Sequence, residues 1–558
     1  MFSKQKTVSV ILAAAALFSL IYCWFLGQPL ALADAPADRL NCVSYSPFHK
    51  AGQTPFNKDV WISKQQIEAD IKALSPHFGC VRTYTVGIGL QELPALAQQY
   101  GMQALLGIWI GRDDAENQKE IALGIELTKQ YPQVVRALII GNEVLLRREQ
   151  TPPNLRNYIN QVKAAVPGVP VSYADSWDFW LRYQDELLDS VSFATVHILP
   201  FWDDDTVSVA AAAQYVVDTY RQIKAELHDK EVLIGETGWP SYGRQRQDAG
   251  SSQINQARFI REFADLAKAQ NIPYNIIEAF DQPWKRNSEG AVGGYWGIFD
   301  ADGSIKFPFR GAVAEAPQWR GIAYAAMGLF FGLFLIYLQR SRQLNTAAVL
   351  VVLAISICGG AAWVSYLRDM LMTNRSWLEW LYSCLYALLL LAAIFLSGHA
   401  LTVWLSGKQS PLPFAAAGDL WNWRIGKALS AAHIWGALRL LFLLGAAIAC
   451  LLLVFDLRNR DYPLALFSLP ALLLALLTWG KGKSDVHLEE MVLAGWIGFA
   501  GLLLPVIEHL IFRPDMSCRF ADGINHSALY WSGLCLVLSS LVLVPVFLEF
   551  RSGQHQKT

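Results

Sequence analysis

The chain lacks the spacings that hold metals. Its 558 residues include 8 cysteines, but no CxxC and no Cys/His cluster at ligand spacing, which excludes a zinc-finger or thioredoxin-like motif. No metal or cofactor is expected. A basic field is also missing. Lys+Arg and Asp+Glu number 46 and 47, for a formal net charge of -1, so no nucleic-acid partner is expected. Charged residues are scarce at 17% while 53% are hydrophobic, too apolar for a wholly soluble chain of this length.

What is present divides the chain in three. Residues 1–33 hold an apolar run from Val8 to Leu26 behind Lys4 and Lys6. The run is long enough for a hydrocarbon core of about 30 Å. "ALADA" at Ala31–Ala35 also offers a signal-peptidase site, so an anchor and a cleaved signal both fit. Residues 34–318 carry charges throughout and read as a water-soluble domain. Residues 319–558 read as a membrane domain with about seven transmembrane helices, near 320–338, 346–367, 378–397, 434–455, 463–479, 491–512 and 528–549. Lipid bilayer is therefore an expected partner.

With the N-terminus inside, Arg340, Arg342, Lys408, Arg424, Lys427, Lys481, Lys483, Arg551 and Lys557 fall on inner loops. Arg368, Arg375, Arg458, Arg460, Arg513 and Arg519 fall outside, so the bias is modest. This orientation predicts a multi-pass plasma-membrane protein with its soluble domain outside the cytoplasm, in the periplasm of a cell with two membranes. Trp421 and Trp423 beside Arg424 and Lys427 suggest either a segment lying on the membrane surface or an ordinary amphipathic loop. Glu508 and His509 sit near the outer end of an apolar run, where snorkelling to the interface is expected.

Within 34–318, short β-rich runs alternate with polar helical stretches. Eight runs, from "LNCVSYSPF" to "YNIIEAFDQPW", predict a (β/α)8 TIM barrel, so the fold class is α/β followed by an all-α multi-span membrane domain. The stretch "SWDFWLRYQDELLDS" is short and irregular for a barrel helix. Barrel chemistry belongs at strand C-terminal ends. There the sequence offers Tyr45, Arg82, Tyr84, Trp109, Arg112, Asn142, Glu143, Asp175, Trp177, His197, Trp202, Glu236, Trp239, Glu278, Asp281 and Trp284.

Glu143 ends the fourth run and Glu236 the seventh, across the barrel from one another. Two carboxylates facing across a cleft suit glycoside hydrolysis, one as proton donor and one as nucleophile or water activator. Asn142 is placed to bond a hydroxyl beside the reacting carbon. Trp109, Trp177, Trp180, Trp202, Trp239, Trp284 and Trp296 are candidate sugar platforms, with Trp61 read as core packing. Cys42 and Cys80 start the first two strands, where a disulfide and two buried thiols both fit.

"GNEV", "ETGWPS", "EAFDQPWK" and "YWGIFDADGSIK", with "RTYTV" and "HILPFWD", resemble the family 17 glycoside hydrolases over residues 41–309. The family contains β-1,3-glucanases and glucanosyltransferases. The pattern is closer to its fungal and bacterial branch, and the chain resembles a bacterial membrane-bound type similar to β-(1,6)-glucan synthase-like proteins, with the large membrane half outside the family. The resemblance implies a retaining mechanism with Glu143 as acid/base and Glu236 as nucleophile, supported by Glu278 and Lys285. It implies a β-glucan substrate, and its membrane setting suggests transfer to a glucan acceptor beside proteins of glucan synthesis or export. Simple β-1,3-glucan hydrolysis and non-catalytic glucan binding are the alternatives. A nucleotide-sugar synthase needs a cytoplasmic nucleotide domain, and the inner loops are too short for one.

Overall fold

Two distant stretches meet before the barrel begins. Strand β1 (Pro29–Leu30) pairs antiparallel with β10 (Val313–Ala314). The computed structural model describes residues 4–204, 206–340, 346–405, 431–456, 460–479, 486–510 and 526–555. The Trp421/Trp423 segment, Asp205, and the loops carrying Arg342, Lys408, Arg424, Lys427, Arg458, Lys481, Lys483, Arg513, Arg519 and Lys557 lie outside the described residues. The chain forms two units, Pro29–Glu315 and Met1–Gln28 with Ala316–Thr558.

In the first unit, eight parallel strands close in sequence order: β2 (Leu40–Ser44), β3 (Phe78–Arg82), β4 (Gln103–Ile108), β5 (Val135–Asn142), β6 (Val171–Ser176), β7 (Ala194–His197), β8 (Val232–Thr237) and β9 (Tyr274–Ile276). The helices between them are α2 (Lys64–Leu74), α3 (Leu93–Gln99), α4 (Asp114–Gln130), α5 (Pro152–Ala165), α6 (Trp177–Leu187), α7 (Val209–Glu226) and α8 (Gln253–Ala269). Capping residues start several of them. Ser63, Asp113, Thr151 and Ser252 each accept from a backbone N–H of the first turn. The irregular stretch after the fifth strand forms α6, broken at Tyr183 (φ -117°, ψ 18°).

Alternation along the strands separates two cores. Cys42, Cys80, Leu105, Ala137 and Leu233 form a small apolar layer. They come from five strands and meet only inside the barrel. Cys42 and Cys80 are paired residues of adjacent strands and form a disulfide. Two residues further along the same face, Ser44 and Arg82 make the interior polar. The intervening Val43, Tyr45 and Val81 face outward into the helix layer and join the large core there.

The second unit is helical. It comprises α1 (Lys4–Leu26), α10 (Trp319–Arg340), α11 (Thr346–Thr373), α12 (Trp377–Leu405), α13 (Ala431–Phe455), α14 (Leu464–Trp479), α15 (Leu488–Leu510) and α16 (His526–His555), with the four-residue α9 (Lys285–Ser288) belonging to the barrel unit. Among the described residues, seven helices are long and apolar enough to cross a membrane, and α14 is a shorter apolar helix. Arg439 and Glu490 form a buried two-pronged pair at 2.9 Å on both arms. Glu508 does not reach outward as expected. It is buried against Arg460 and the Tyr462 hydroxyl, because both donors lie within reach inside the bundle.

Candidate active site

Two strand irregularities set up the site. Between Ile139 and Asn142 of β5 the register against β6 shifts by one residue. Between Ile234 and Glu236 of β8 it shifts by one residue against β7. A bulge reverses the alternation beyond it and re-aims the next side chain. Both bulges lie immediately before the two carboxylates. Gly141 serves the first, with φ +81° and a position where a Cβ would stand 2.6 Å from Val144 Cγ2. Glu143 itself has φ +53°, a left-handed conformation that costs about 1–3 kcal/mol and is held by its surroundings.

Glu236 is nearly buried. Its Oε1 accepts from Arg82 Nη1 at 2.9 Å and from the Tyr84 hydroxyl at 2.8 Å. Burial, then the charge of Glu236, holds the Tyr84 phenol well above its usual range, so Tyr84 stays a donor. The Arg82 guanidinium also bonds the Gly235 carbonyl and Asn142 Oδ1 and lies 4.8 Å over the Tyr84 ring. Because Asn142 accepts through its oxygen, its NH2 group is left as a donor.

Glu143 is more open, with a quarter of its side chain exposed. Its Oε1 lies 3.0 Å from His197 Nδ1, and its Oε2 lies 3.8 Å from Arg147. His197 Nε2 is 3.6 Å from Glu236 Oε1. One histidine thus stands between the two carboxylates. One oxygen from each, with one ring nitrogen, falls within a span of 4.8 Å. Burial pushes the Glu143 carboxyl up, but the His197 hydrogen bond and the charges of Arg147 and Arg82 bring it below its ordinary value.

Lys285 donates to both oxygens of the buried Glu278, at 2.9 and 3.0 Å. Burial lowers the Lys285 pKa, yet the carboxylates of Glu278 and Glu289 carry it above its usual value, so Lys285 remains a cation. Trp284 and Trp202 are half-buried, and Trp202 stacks on Trp296.

Three residues expected in the cleft are elsewhere, and a fourth, Asp175, is buried but within electrostatic reach of Glu143 and His197. Tyr45 has the wrong strand parity and donates to Asp70 in the helix layer at 2.6 Å. Trp239 is 0% exposed. It packs on Phe201 and Phe259 and donates to the Gly250 carbonyl, so it cannot face a sugar. Asp281 is buried on Lys306 and the Gly297 N–H. Asp175 is buried beneath the Tyr173 hydroxyl, and burial pushes its carboxyl up to about 6. Trp180 and Trp296 are also buried, while Trp61 is exposed rather than packed.

Three contributors went unanticipated. Arg147 covers the Trp109 ring at 4.6 Å and borders Glu143. Its position one helical turn beyond Glu143 was the available signal. Glu120 of α4 accepts from the Val86, Gly87 and Trp109 backbone N–H groups and fixes two rim loops. Glu289 lies close enough to Glu143, Glu236 and Lys285 for its carboxyl to feel all three. No local pattern distinguishes Glu120 or Glu289 from solvated helix-face acids.

A model described as the BtgE/BtgC glycoside hydrolase domain matches residues 42–297. A glucan 1,3-beta-glucosidase of Candida albicans is 30% identical over 264 residues, covering 43% of this chain and 84% of the relative. One from Arthroderma benhamiae is 31% identical over 266 residues, covering 43% and 82%. The solved glycoside hydrolase family 17 beta-1,3-glucanosyltransferase of Rhizomucor miehei is 26% identical, covering 50% of this chain and 98% of that one, with a TM-score of 0.43. With a family model over its barrel and 30% identity across more than four-fifths of a curated relative, the chain belongs to the BtgE/BtgC glycoside hydrolases.

Proposed function

We propose that this protein cleaves β-1,3-glucan with retention and passes the glucosyl unit to a glucan acceptor. The observation that carries the reading is that an oxygen of Glu143 lies within 4.8 Å of one of Glu236. Retaining enzymes hold their carboxyl groups about 5–5.5 Å apart, and inverting ones leave room for water at about 6.5–9.5 Å. In this reading Glu236 is the nucleophile. Arg82 and Tyr84 occupy Oε1, leaving Oε2 to attack the anomeric carbon. The glycosidic C–O bond breaks as the departing oxygen takes a proton from Glu143. Water displaced by bound glucan raises the Glu143 carboxyl toward the protonated form this step needs. In the second half, an acceptor hydroxyl attacks the glucosyl ester, returns its proton to Glu143 and frees Glu236. The Asn142 amide donates to a hydroxyl beside the reacting carbon, and the Lys285–Glu278 pair orders the cleft beside the nucleophile.

Residues 34–318 form the catalytic domain in this reading, and residues 1–33 and 319–558 hold it to a membrane on the extracytoplasmic side. Supporting this, Ala316 N–H donates to the Leu26 carbonyl at 2.9 Å, so the spans that flank the catalytic domain in sequence begin and end side by side. The membrane domain is proposed to keep transfer close to glucan-building or export proteins. Hydrolysis is the second reading, favoured by the name glucan 1,3-beta-glucosidase borne by both fungal relatives. Incubation of the full-length protein in detergent with laminari-oligosaccharides, followed by mass spectrometry, separates the two. Products longer than the substrate support transfer. Only shorter products defeat it, and turnover by a Glu236→Gln variant defeats the nucleophile assignment.

A further inference from the structure

In the barrel unit, three aromatic side chains stand out from the surface: Phe56 at 75% exposed, Trp61 at 65% and Trp109 at 38%. All three lie on loops at strand C-terminal ends, the catalytic face. An even scatter of tolerated surface apolars would not choose one face. Trp109 is covered by Arg147. Phe56 and Trp61 belong to the loop between β2 and α2, and nothing in the active-site chemistry uses them.

The loop is ordered. Turns close between Lys50 and Gln53, Thr54 and Asn57, and Asn57 and Val60, and the Ile62 N–H donates to the Ile88 carbonyl. Its rings are therefore presented by a built backbone. The Phe56 ring meets the edge of Trp284 with centroids 5.4 Å apart, and Phe48 supports Trp284 from below. Trp284 adjoins Lys285, whose ammonium holds Glu278. The Phe56–Trp284 contact thus carries aromatic surface from the Lys285–Glu278 pair outward to the rim, where Trp61 follows five residues along the same loop. Asn57, Lys58 and Asp59 stand beside the rings and offer donors and acceptors in the same loop. Rings flanked by such groups suit the apolar faces and hydroxyl edges of pyranoses.

We infer that Phe56 and Trp61 form a distal glucan-binding platform, reached across Trp284, that takes sugar rings beyond those at the scissile bond and makes the enzyme prefer longer chains. This rests on the glucan reading above. The platform lies on the side of β2 and β9, away from Glu143, so it holds the chain that becomes attached to Glu236 rather than the leaving portion.

The test compares kcat/KM of the full-length protein in detergent on a β-1,3-linked trisaccharide and heptasaccharide. Wild type, Phe56→Ala, Trp61→Ala and the double variant are measured. A ring stack is worth about 0.5–1.5 kcal/mol, so the heptasaccharide-to-trisaccharide ratio should fall roughly 2- to 10-fold per ring. Thermal unfolding midpoints within about 2 °C of wild type establish that folding is intact, as expected for exposed sites. An unchanged ratio overturns the platform while leaving the glucan reading standing. Loss of self-association with an unchanged ratio reassigns the patch to a contact between copies. If wild type turns over neither oligosaccharide, the glucan reading itself fails and the platform falls with it.

Discussion

Tyr84→Phe removes one donor from Glu236 and leaves the other. The Tyr84 hydroxyl lies 2.8 Å from Oε1, and Arg82 keeps its own 2.9 Å bond to the same atom, so the carboxylate stays in place. A hydrogen bond to a charged acceptor is worth about 1.5–3 kcal/mol. That bond is strong to the free carboxylate and weak to the glucosyl ester. It therefore opposes formation of the ester and assists its breakdown. Losing it slows the second half of the reaction by the part of the bond already regained at the transition state. If about two-thirds is regained, the barrier rises by roughly 1–2 kcal/mol, or about 5- to 30-fold in rate at 1.36 kcal/mol per tenfold. The first half, measured by kcat/KM, should stay within about threefold. KM then falls along with kcat. Steady-state kinetics with an activated aryl β-glucoside, with intact-mass detection of the glucosyl-enzyme, give both quantities. The adduct should accumulate in Tyr84→Phe and not in wild type. A fall in kcat/KM as large as that in kcat, with no adduct, refutes the assignment of Tyr84 to the leaving carboxylate.

Other sites make separate predictions. Trp239→Ala should cost about 3–5 kcal/mol of stability, as expected for truncating a fully buried aromatic side chain, and Trp239→Phe should lower the unfolding midpoint without raising KM. A raised KM at an unchanged midpoint would return Trp239 to the cleft. His49 has both ring nitrogens facing acceptors, Asp70 and the Ala301 carbonyl. Burial lowers its pKa, but these partners carry it above the ordinary value. Its contribution is therefore full below the unfolded pKa of about 6.5 and is lost as pH rises through the higher folded value. The stability gap between wild type and His49→Gln should shrink as pH is raised from 6 to 8.5, and a widening gap contradicts the ion pair. Glu490→Gln should lower the thermal stability of the detergent-solubilised protein by about 3–5 kcal/mol by stranding Arg439, while the paired change with Arg439→Met recovers much of it. Equal loss in single and double variants rules out the pair as the cause.

The barrel was legible because alternation of β-rich and helical stretches needs only composition and spacing. The long apolar helices were legible for the same reason. The site was legible only in part. Glu143, Glu236, Arg82, Tyr84, Asn142 and His197 come together, and Lys285 meets Glu278. Tyr45 was misread although its parity was available: with Cys42 and Ser44 inside, Tyr45 faces the helices. Trp239 was misread for a different reason. Whether an aromatic residue after a strand faces the cleft or the core depends on the loop that returns over it, here the carbonyl of Gly250. Glu120 and Glu289 reach the rim from helix and loop positions that look solvent-facing in sequence, because tertiary packing alone brings them there.

Glu236 and Asn142 defy the pattern that identified their strands. Leu233 faces the barrel interior, so strict alternation puts Gly235 and Thr237 inside and sends Glu236 outward. Counting from Ala137 on β5 likewise puts Gly141 inside and sends Asn142 outward. An outward Glu236 would lie in the apolar helix layer, where an unpaired carboxylate costs several kcal/mol or gives up its charge. One extra residue in each strand removes the conflict by turning Glu236 onto Arg82 and Tyr84 and Asn142 onto Arg82. The left-handed Glu143 marks where the first correction is absorbed. Hydrophobic patterning fixes the register of a regular strand, and a bulge is by nature a departure from that register. The inward aim of Glu236 and Asn142 therefore depends on the part of the backbone that periodicity encodes least, while their place at strand ends was visible in advance.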